Sequence, residues 1–274
     1  MQGVPAHFEH PHDAAEFRRP AHRAGVELYR AHIVRHAFEP HTHDGFGLGV
    51  IEHGVERFRY RGADHLAPSD SLVLMNPDEL HTGHAETAEG WCYRMLYVEP
   101  DTAASICGER AWWFDQAVRH DAAAAHRLNA LLDALWQARE PLAIDSLLFA
   151  LLDEFRRHAR TSRPAAAGAS PRFAPVIDYL HANLSQRLTL EELARLAGLS
   201  PFHFLRSFRD HHHATPQQYL MALRLAQAKR LLAAGKPPAQ VAAAAGLTDQ
   251  AHLTRAFMRR YGTTPARYQR QLRG

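Results

Sequence analysis

The feature that most constrains this chain is a local grammar that occurs twice: a capped helix, a glycine that stops it, and a second capped helix. In the first copy Thr189 precedes Leu190-Glu-Glu-Leu-Ala-Arg-Leu-Ala197 as an N-cap, with Glu192 at the offset of a capping box. Gly198 ends that helix, and Ser200 with Pro201 opens the next, which runs to Arg209. In the second copy the helix from Pro238 to Ala245 is stopped by Gly246 and followed by a helix from Asp249 to Arg260. The copies align residue by residue: Gly198-Leu199 with Gly246-Leu247, Phe204 with Leu253, Arg206 with Arg255, and Phe208 with Phe257. Each is a helix-turn-helix. A helix from Phe173 to Leu184 precedes them. Between them, Tyr219, Leu220, Leu223, Ala226, Leu231 and Leu232 form one apolar face of a long connecting helix. Two recognition helices on one rigid spacer suit successive major grooves, about 34 Å apart on one face of the duplex.

The charge distribution points the same way. Net charge is only +3, yet the stretch from Ser200 to Gly274 is arginine-rich and contains just two acidic residues, Asp210 and Asp249. A basic C-terminal region implies a polyanionic partner, and a solvated basic face is the plainer alternative.

These residues strongly resemble the C-terminal DNA-binding domain of the AraC/XylS family of bacterial regulators, over roughly 173–270. The most specific part runs from Ala245-Gly-Leu-Thr-Asp-Gln-Ala-His-Leu through Tyr261-Gly-Thr-Thr-Pro-Ala-Arg-Tyr268. Two positions depart from the family: His213 replaces a usual glycine, and Leu205 a small or polar residue. The resemblance implies sequence-specific, ligand-responsive transcription regulation, with promoter DNA and RNA polymerase as partners.

Helical spacing assigns roles within the two readers. Phe204, Phe208, Leu253 and Phe257 face the core. Phe202, Leu205 and Arg206, and then Gln250, Ala251, Thr254 and Arg255, are expected at base edges, where arginine reads guanine, glutamine suits adenine, and small apolar groups touch the thymine methyl. His203, Arg209, Arg259 and Arg260 are expected at phosphates, which give affinity without sequence information.

The N-terminal region reads differently. Short β-type runs at Phe46–Ile51, Val55–Tyr60, Ser71–Met75 and Tyr93–Val98 are broken at Glu52-His-Gly54, Arg61-Gly-Ala-Asp64 and Asn76-Pro-Asp78, as in a small barrel or sandwich. Alternation sets Glu56, Phe58 and Tyr60 on one side of their strand, opposite Val55, Arg57 and Arg59. From 122 to 160 the period becomes helical. Leu128, Leu131, Leu132, Leu135 and Trp136 form one stripe, and Leu147, Leu148, Leu151, Leu152 and Phe155 another. Both are packing surfaces, and together they form a candidate dimer seam. Residues 161–172, rich in Ala, Ser, Pro and Gly, have the composition of a linker.

Pro40-His-Thr-His43, the strand after it, and Pro77-Asp-Glu-Leu-His81 resemble the cupin-like sensor domain common in this family. His41, His43 and His81 are therefore candidate ligand-binding residues, and three converging imidazoles are also a metal-ligand set. The enzymatic cupin pattern adds a glutamate three or four residues after the second histidine. Gly47 and Leu48 stand there instead, while Glu52, His53 and His84 fall at other offsets. This argues against an oxygenase or isomerase, so no catalytic residue, metal or other cofactor is expected. The alternative reading is a cupin-type metal-dependent enzyme carrying a DNA-binding module.

The resulting expectation is an α+β chain. Residues 1–120 form a cupin-like β-barrel sensor, 121–160 a helical pair for homodimerisation, and 173–274 an all-α domain with helix-turn-helix units at 190–211 and 238–260. Cys92 and Cys107 show neither zinc spacing nor a disulfide framework, which fits a reducing compartment. Neither a signal segment nor a membrane span is apparent, so a cytoplasmic protein is expected.

Overall fold

The computed structural model describes residues 8, 10–108, 112–160 and 172–273. Nine strands are described: β1 (Ala14–Arg18), β2 (Val26–Ile33), β3 (Phe38–His41), β4 (Phe46–Tyr60), β5 (Ala63–Pro68), β6 (Ser71–Met75), β7 (His81–Ala85), β8 (Trp91–Val98) and β9 (Val118–His120). All named pairings are antiparallel. The main path runs β1-β2-β8-β4-β6-β9, while β7 joins β3 to the far half of β4 and β5 covers that half.

β4 explains how the sheet curls. The expected break at 52–54 does not divide two strands, because one strand runs through it with a register shift between Ile51 and His53. Strand side chains alternate, so the shift reverses parity. Before it, the even positions Phe46, Leu48 and Val50 join the outer core. After it, the even positions Glu56, Phe58 and Tyr60 turn inward, as their alternation indicated. Gly54 makes the bulge possible: its φ is +76°, and a Cβ there would lie 1.9 Å from the Gly90 carbonyl oxygen. β1, β5, β7 and β9 carry too few large apolar residues to stand out in the sequence.

The outer face of the sheet holds the helical pair. Helices α2 (Ala122–Gln137) and α3 (Pro141–Arg156), with α1 (Pro100–Cys107), cover Val26, Leu28, Leu48, Leu72, Leu74 and Leu96. Asp121 caps α2 through a bond from the Ala124 N–H at 2.9 Å. The two leucine stripes are consumed here: Leu128, Leu132, Leu135, Leu148, Leu151, Leu152 and Phe155 are all buried within the chain. Leu131, Trp136 and Leu147, the rest of the stripes, are half-buried against the same core, so the stripes serve packing within the chain. The large apolar groups left outward on α3 are Leu142 and Phe149.

The C-terminal region is all helical: α4 (Ala174–Ala182), α5 (Leu190–Leu196), α6 (Pro201–His212), α7 (Pro216–Ala233), α8 (Pro238–Ala244), α9 (Gln250–Tyr261) and α10 (Pro265–Arg273). α4 begins one residue after Phe173, which is its N-cap, and ends two residues before Leu184. The capping box of Thr189 and Glu192 is formed, and a second joins Thr215 to Gln218 at the start of α7. Ser200 occupies the N-cap position of α6 without a side-chain bond, whereas Asp249 caps α9 by accepting from the His252 N–H at 2.7 Å. Gly198 and Gly246 adopt φ of +64° and +71°, the left-handed turn that lets each helix pair close. His213 takes the same left-handed conformation without being glycine, at φ +55°. Of the expected linker, residues 161–171 lie outside the described residues.

The second reader is not separate from the barrel. One core cluster runs from Phe17, Tyr29, Phe58 and Tyr93 of the sheet's inner face into Leu225, Ala228, Phe257, Tyr261 and Tyr268. The first reader has its own core around Phe173, Leu193, Phe204, Phe208 and Tyr219.

Candidate functional sites: a DNA-reading face and a buried histidine chamber

In α6, Phe204 and Phe208 are fully buried, which rotates Phe202, Leu205, Arg206, His203 and Arg209 outward. Phe202 is 72% exposed, unusual for an aromatic, and Leu205 is 38% exposed. The nearest carboxylate to Arg206, Asp210, stands at 3.9 Å, so the guanidinium is loosely held. In α9, Leu253 and Phe257 are buried while Gln250, Ala251, Arg255 and Arg259 are exposed.

Two residues depart from their expected places. Thr254 is buried, and its hydroxyl donates back to the Gln250 carbonyl at 2.8 Å, so it faces the core rather than a groove. Arg260 is 2% exposed and lines a chamber inside the barrel, so in this conformation it cannot touch phosphate. An α-helix turns by about 100° per residue, which sends adjacent Arg259 and Arg260 to different surfaces.

The chamber is built from β3, the β3–β4 loop and β7, closed by the second reader. His41 and His81 are register partners on β3 and β7, and their rings lie 4.1 Å apart. His43 stands in the loop just beyond β3, its ring 5.0 Å from each of the other two. The three expected residues thus do converge: one ring nitrogen from each lies within 4.8 Å of the others. Tyr29, Glu56, Tyr97, Lys229, Arg260 and Tyr261 are among the other residues that line it. Glu52, which falls at another offset from the enzymatic pattern, pairs with Arg94 at 2.8 Å and does not line the chamber.

Burial sets the protonation. It holds the His41 and His43 imidazoles well below their usual range, helped at His41 by the neighbouring His81 and at His43 by His41 and His81, with a smaller contribution from Lys229 at both. Burial likewise brings His81 down to about 4 and pushes the Glu56 carboxyl up to about 8. At neutral pH the chamber therefore holds neutral imidazoles and a protonated Glu56.

Lys229 on α7 sits where the chamber meets a larger cavity between barrel and reader. Its ammonium pairs with Glu27 of β2 and lies 4.9–5.6 Å from the ring centres of Phe17, Tyr97, Tyr261 and Tyr268. The chamber offers about 40 Å³ to the centre of a water-sized sphere, whereas the boundary cavity offers about 420 Å³. Since one water needs roughly 10–15 Å³ on this scale, the chamber admits an ion and a few atoms, and the cavity a metabolite. His43, Tyr97, Lys229 and Tyr261 line both. Sequence reading missed Lys229, Tyr97 and Glu56 because nothing local distinguishes them from surface or core positions.

Comparisons with known proteins agree with this division. Residues 23–152 match the AraC-like ligand binding domain, and residues 193–271 match a helix-turn-helix domain. The HTH-type transcriptional regulator YbfI of Bacillus subtilis is 30% identical over 83% of this chain and 86% of its own length. The HTH-type transcriptional activator RhaS of Pectobacterium atrosepticum is 26% identical over 84% of this chain and 86% of its own. Among solved structures, ToxT from Vibrio cholerae shares the fold with a TM-score of 0.56 at 12% identity, covering 94% of this chain and all of that one. The chain belongs to the AraC/XylS family of transcriptional regulators, with an AraC-type ligand-binding domain joined to a helix-turn-helix DNA-binding domain.

Proposed function

We propose that a small acidic metabolite enters the boundary cavity and thereby sets the position of the second reader on DNA. The carrying observation is that Lys229, on the helix joining the two readers, lines the same cavity as Tyr97 and Glu99 of the sensor. A ligand there touches Ala226, Lys229, Arg230 and Ala233 of α7, so its binding energy depends on where α7 lies. Lys229, Arg230 and Arg19 face the cavity beside an equal number of carboxylates, Glu27, Asp44 and Glu99, so an acidic ligand must compete with Glu27 and Asp44 for these cations.

On this reading the chain is a regulator, not an enzyme, and acts in the cytoplasm on promoter DNA, with RNA polymerase as the downstream partner. Phe202, Leu205, Arg206, Gln250, Ala251 and Arg255 read base edges, and His203, Arg209 and Arg259 hold phosphates. It works as an activator, like the related transcriptional activator RhaS, and as a homodimer joined through the outward side of α3.

The test is thermal stability of the full chain against a panel of small carboxylic acids. A specific ligand raises the melting point as its concentration exceeds Kd, and Ala233→Phe, which fills the cavity, abolishes the rise. A ligand that stabilises both proteins equally places the effector elsewhere.

A further inference from the structure

His41, His43 and His81 bring one ring nitrogen each to within 4.8 Å of the others, and among the described residues no hydrogen bond joins the three rings. Nδ1 of His41 lies 2.8 Å from the Glu39 carbonyl oxygen, and Nδ1 of His81 lies 3.0 Å from that of Glu79. A carbonyl oxygen only accepts, so each ring carries its proton on Nδ1 and keeps a bare lone pair on Nε2. The arrangement is the same on both strands: each histidine is fixed by the carbonyl two residues before it, and the two are register partners. Imidazoles oriented through the far nitrogen by a backbone carbonyl are what metal sites use to fix the tautomer and aim the ligand. Nε2 of His43 is also buried and without a partner.

On the other side of the chamber, Nε and Nη1 of the buried Arg260 are donors with no acceptor among the described residues. A cation alone does not suit this neighbourhood, since Arg260 and Lys229 are both positive. An anion alone does not suit it either, because lone-pair nitrogens cannot donate to it. A metal ion carrying an oxyanion satisfies both sets at once. The metal takes the three lone pairs, and the anion on its open position accepts from the guanidinium.

We propose that His41, His43 and His81 bind a divalent transition-metal ion of the zinc, cobalt or nickel class, and that Arg260 holds a carboxylate on its open coordination position. Neutral imidazoles suit these metals. Zn–N bonds of about 2.0–2.1 Å require the ring nitrogens to draw closer than the 4.8 Å that now bounds them. The carboxylate half rests on the acidic effector proposed above, whereas the metal half stands without it.

Cobalt(II) titrated into the full-length, chelator-treated protein tests both halves by visible absorption. One equivalent should produce the d–d bands of a low-coordinate site, and His81→Ala and His43→Asn should each weaken binding by about 100-fold or more. His43 lies in a loop and is only half-buried, so its variant keeps the test available if His81→Ala does not fold. Melting of the metal-free variants checks the fold. No saturable binding, or binding unchanged in a folded histidine variant, overturns the metal site. Acetate added to the cobalt protein should then shift the bands, and Arg260→Met should remove that shift while keeping the metal. An unshifted spectrum overturns the carboxylate half alone, leaving both the metal and the boundary cavity to stand on their own tests.

Discussion

Lys229 of α7 and Glu27 of β2 form an ion pair across the boundary between sensor and reader, with Glu27 buried and Lys229 only 11% exposed. The Tyr268 hydroxyl donates to the same carboxylate at 2.6 Å, and Arg19 reaches it at 3.0 Å. Burial alone would raise the Glu27 carboxyl. Lys229 and Arg19, with the hydrogen bonds from Lys229 and Tyr268, outweigh it and hold the group below its usual range. For Lys229 burial is the larger effect, and the ammonium lies below its usual range despite Glu27. Removing one partner of a buried pair typically costs about 3–5 kcal/mol, and the contacts that Arg19 and Tyr268 keep with Glu27 place the loss of Lys229 toward the lower end. Lys229→Met is therefore expected to lower unfolding free energy by that order, and Glu27→Gln/Lys229→Met by less than the sum of the single changes. Denaturant unfolding of the four proteins closes the cycle. Additive losses would mean the two residues do not communicate.

Glu56 gives the pH dependence a sign. Its carboxyl is raised from 4.5 to about 8 by burial, so the folded state binds a proton that the unfolded state releases between those values. Its favourable share of stability is fully present below about 4.5 and is lost as pH rises through about 8. Relative to Glu56→Gln, the metal-free wild type should lose stability across that window, by at most about 5 kcal/mol at about 1.4 kcal/mol per pH unit. Parallel stability curves for the two proteins would show that Glu56 is already ionised in the fold.

The outward side of α3 carries Leu142 at 80% and Phe149 at 54% exposure, two turns apart on one face. If the homodimer uses this face, Leu142→Glu/Phe149→Glu should sediment as a monomer at tens of micromolar, a range corresponding to about 6–7 kcal/mol of association. The melting point should stay near wild type, since neither residue supports the internal core. A dimer that survives the double change places the seam elsewhere.

What the sequence disclosed and what it hid follow from the range of the interactions. The readers were legible because their determinants are local: Thr189 with Glu192, Gly198 and Gly246 with their left-handed turns, and the Phe204/Phe208 pair. β4 was misjudged because the turn-like run at 52–54 is a bulge, and a bulge and a turn draw on the same residue types. The histidines were found because the loop and strand pairing that gather them belong to a recognisable motif. Lys229 was not singled out, and Arg260 was assigned to phosphate, because their surroundings come from strands far away in sequence. Arg260 in particular reads like its neighbour Arg259 until the helix is docked on the barrel and its rotation is known.

Arg206 and Arg255 hold matched positions in the two readers, each on the outward side of a helix whose inward side is anchored by phenylalanine. A guanidinium so placed can read a guanine bidentately, and Arg206→Ala or Arg255→Ala should then cost about 1–3 kcal/mol on the specific site and relax preference at one base pair. Arg259 is exposed beside Glu39 at 3.8 Å, and Arg259→Ala should instead weaken all sequences alike and reduce the salt slope by about one. Arg260→Ala should leave that slope unchanged so long as the second reader stays docked on the barrel. The measurement is a binding titration of each variant against the operator and its single-base changes at several salt concentrations. Uniform weakening for both Arg206 and Arg255 would remove them from base reading. Thr254 faces the core and could not replace them, which leaves Phe202, Leu205, Gln250 and Ala251 to carry the specificity.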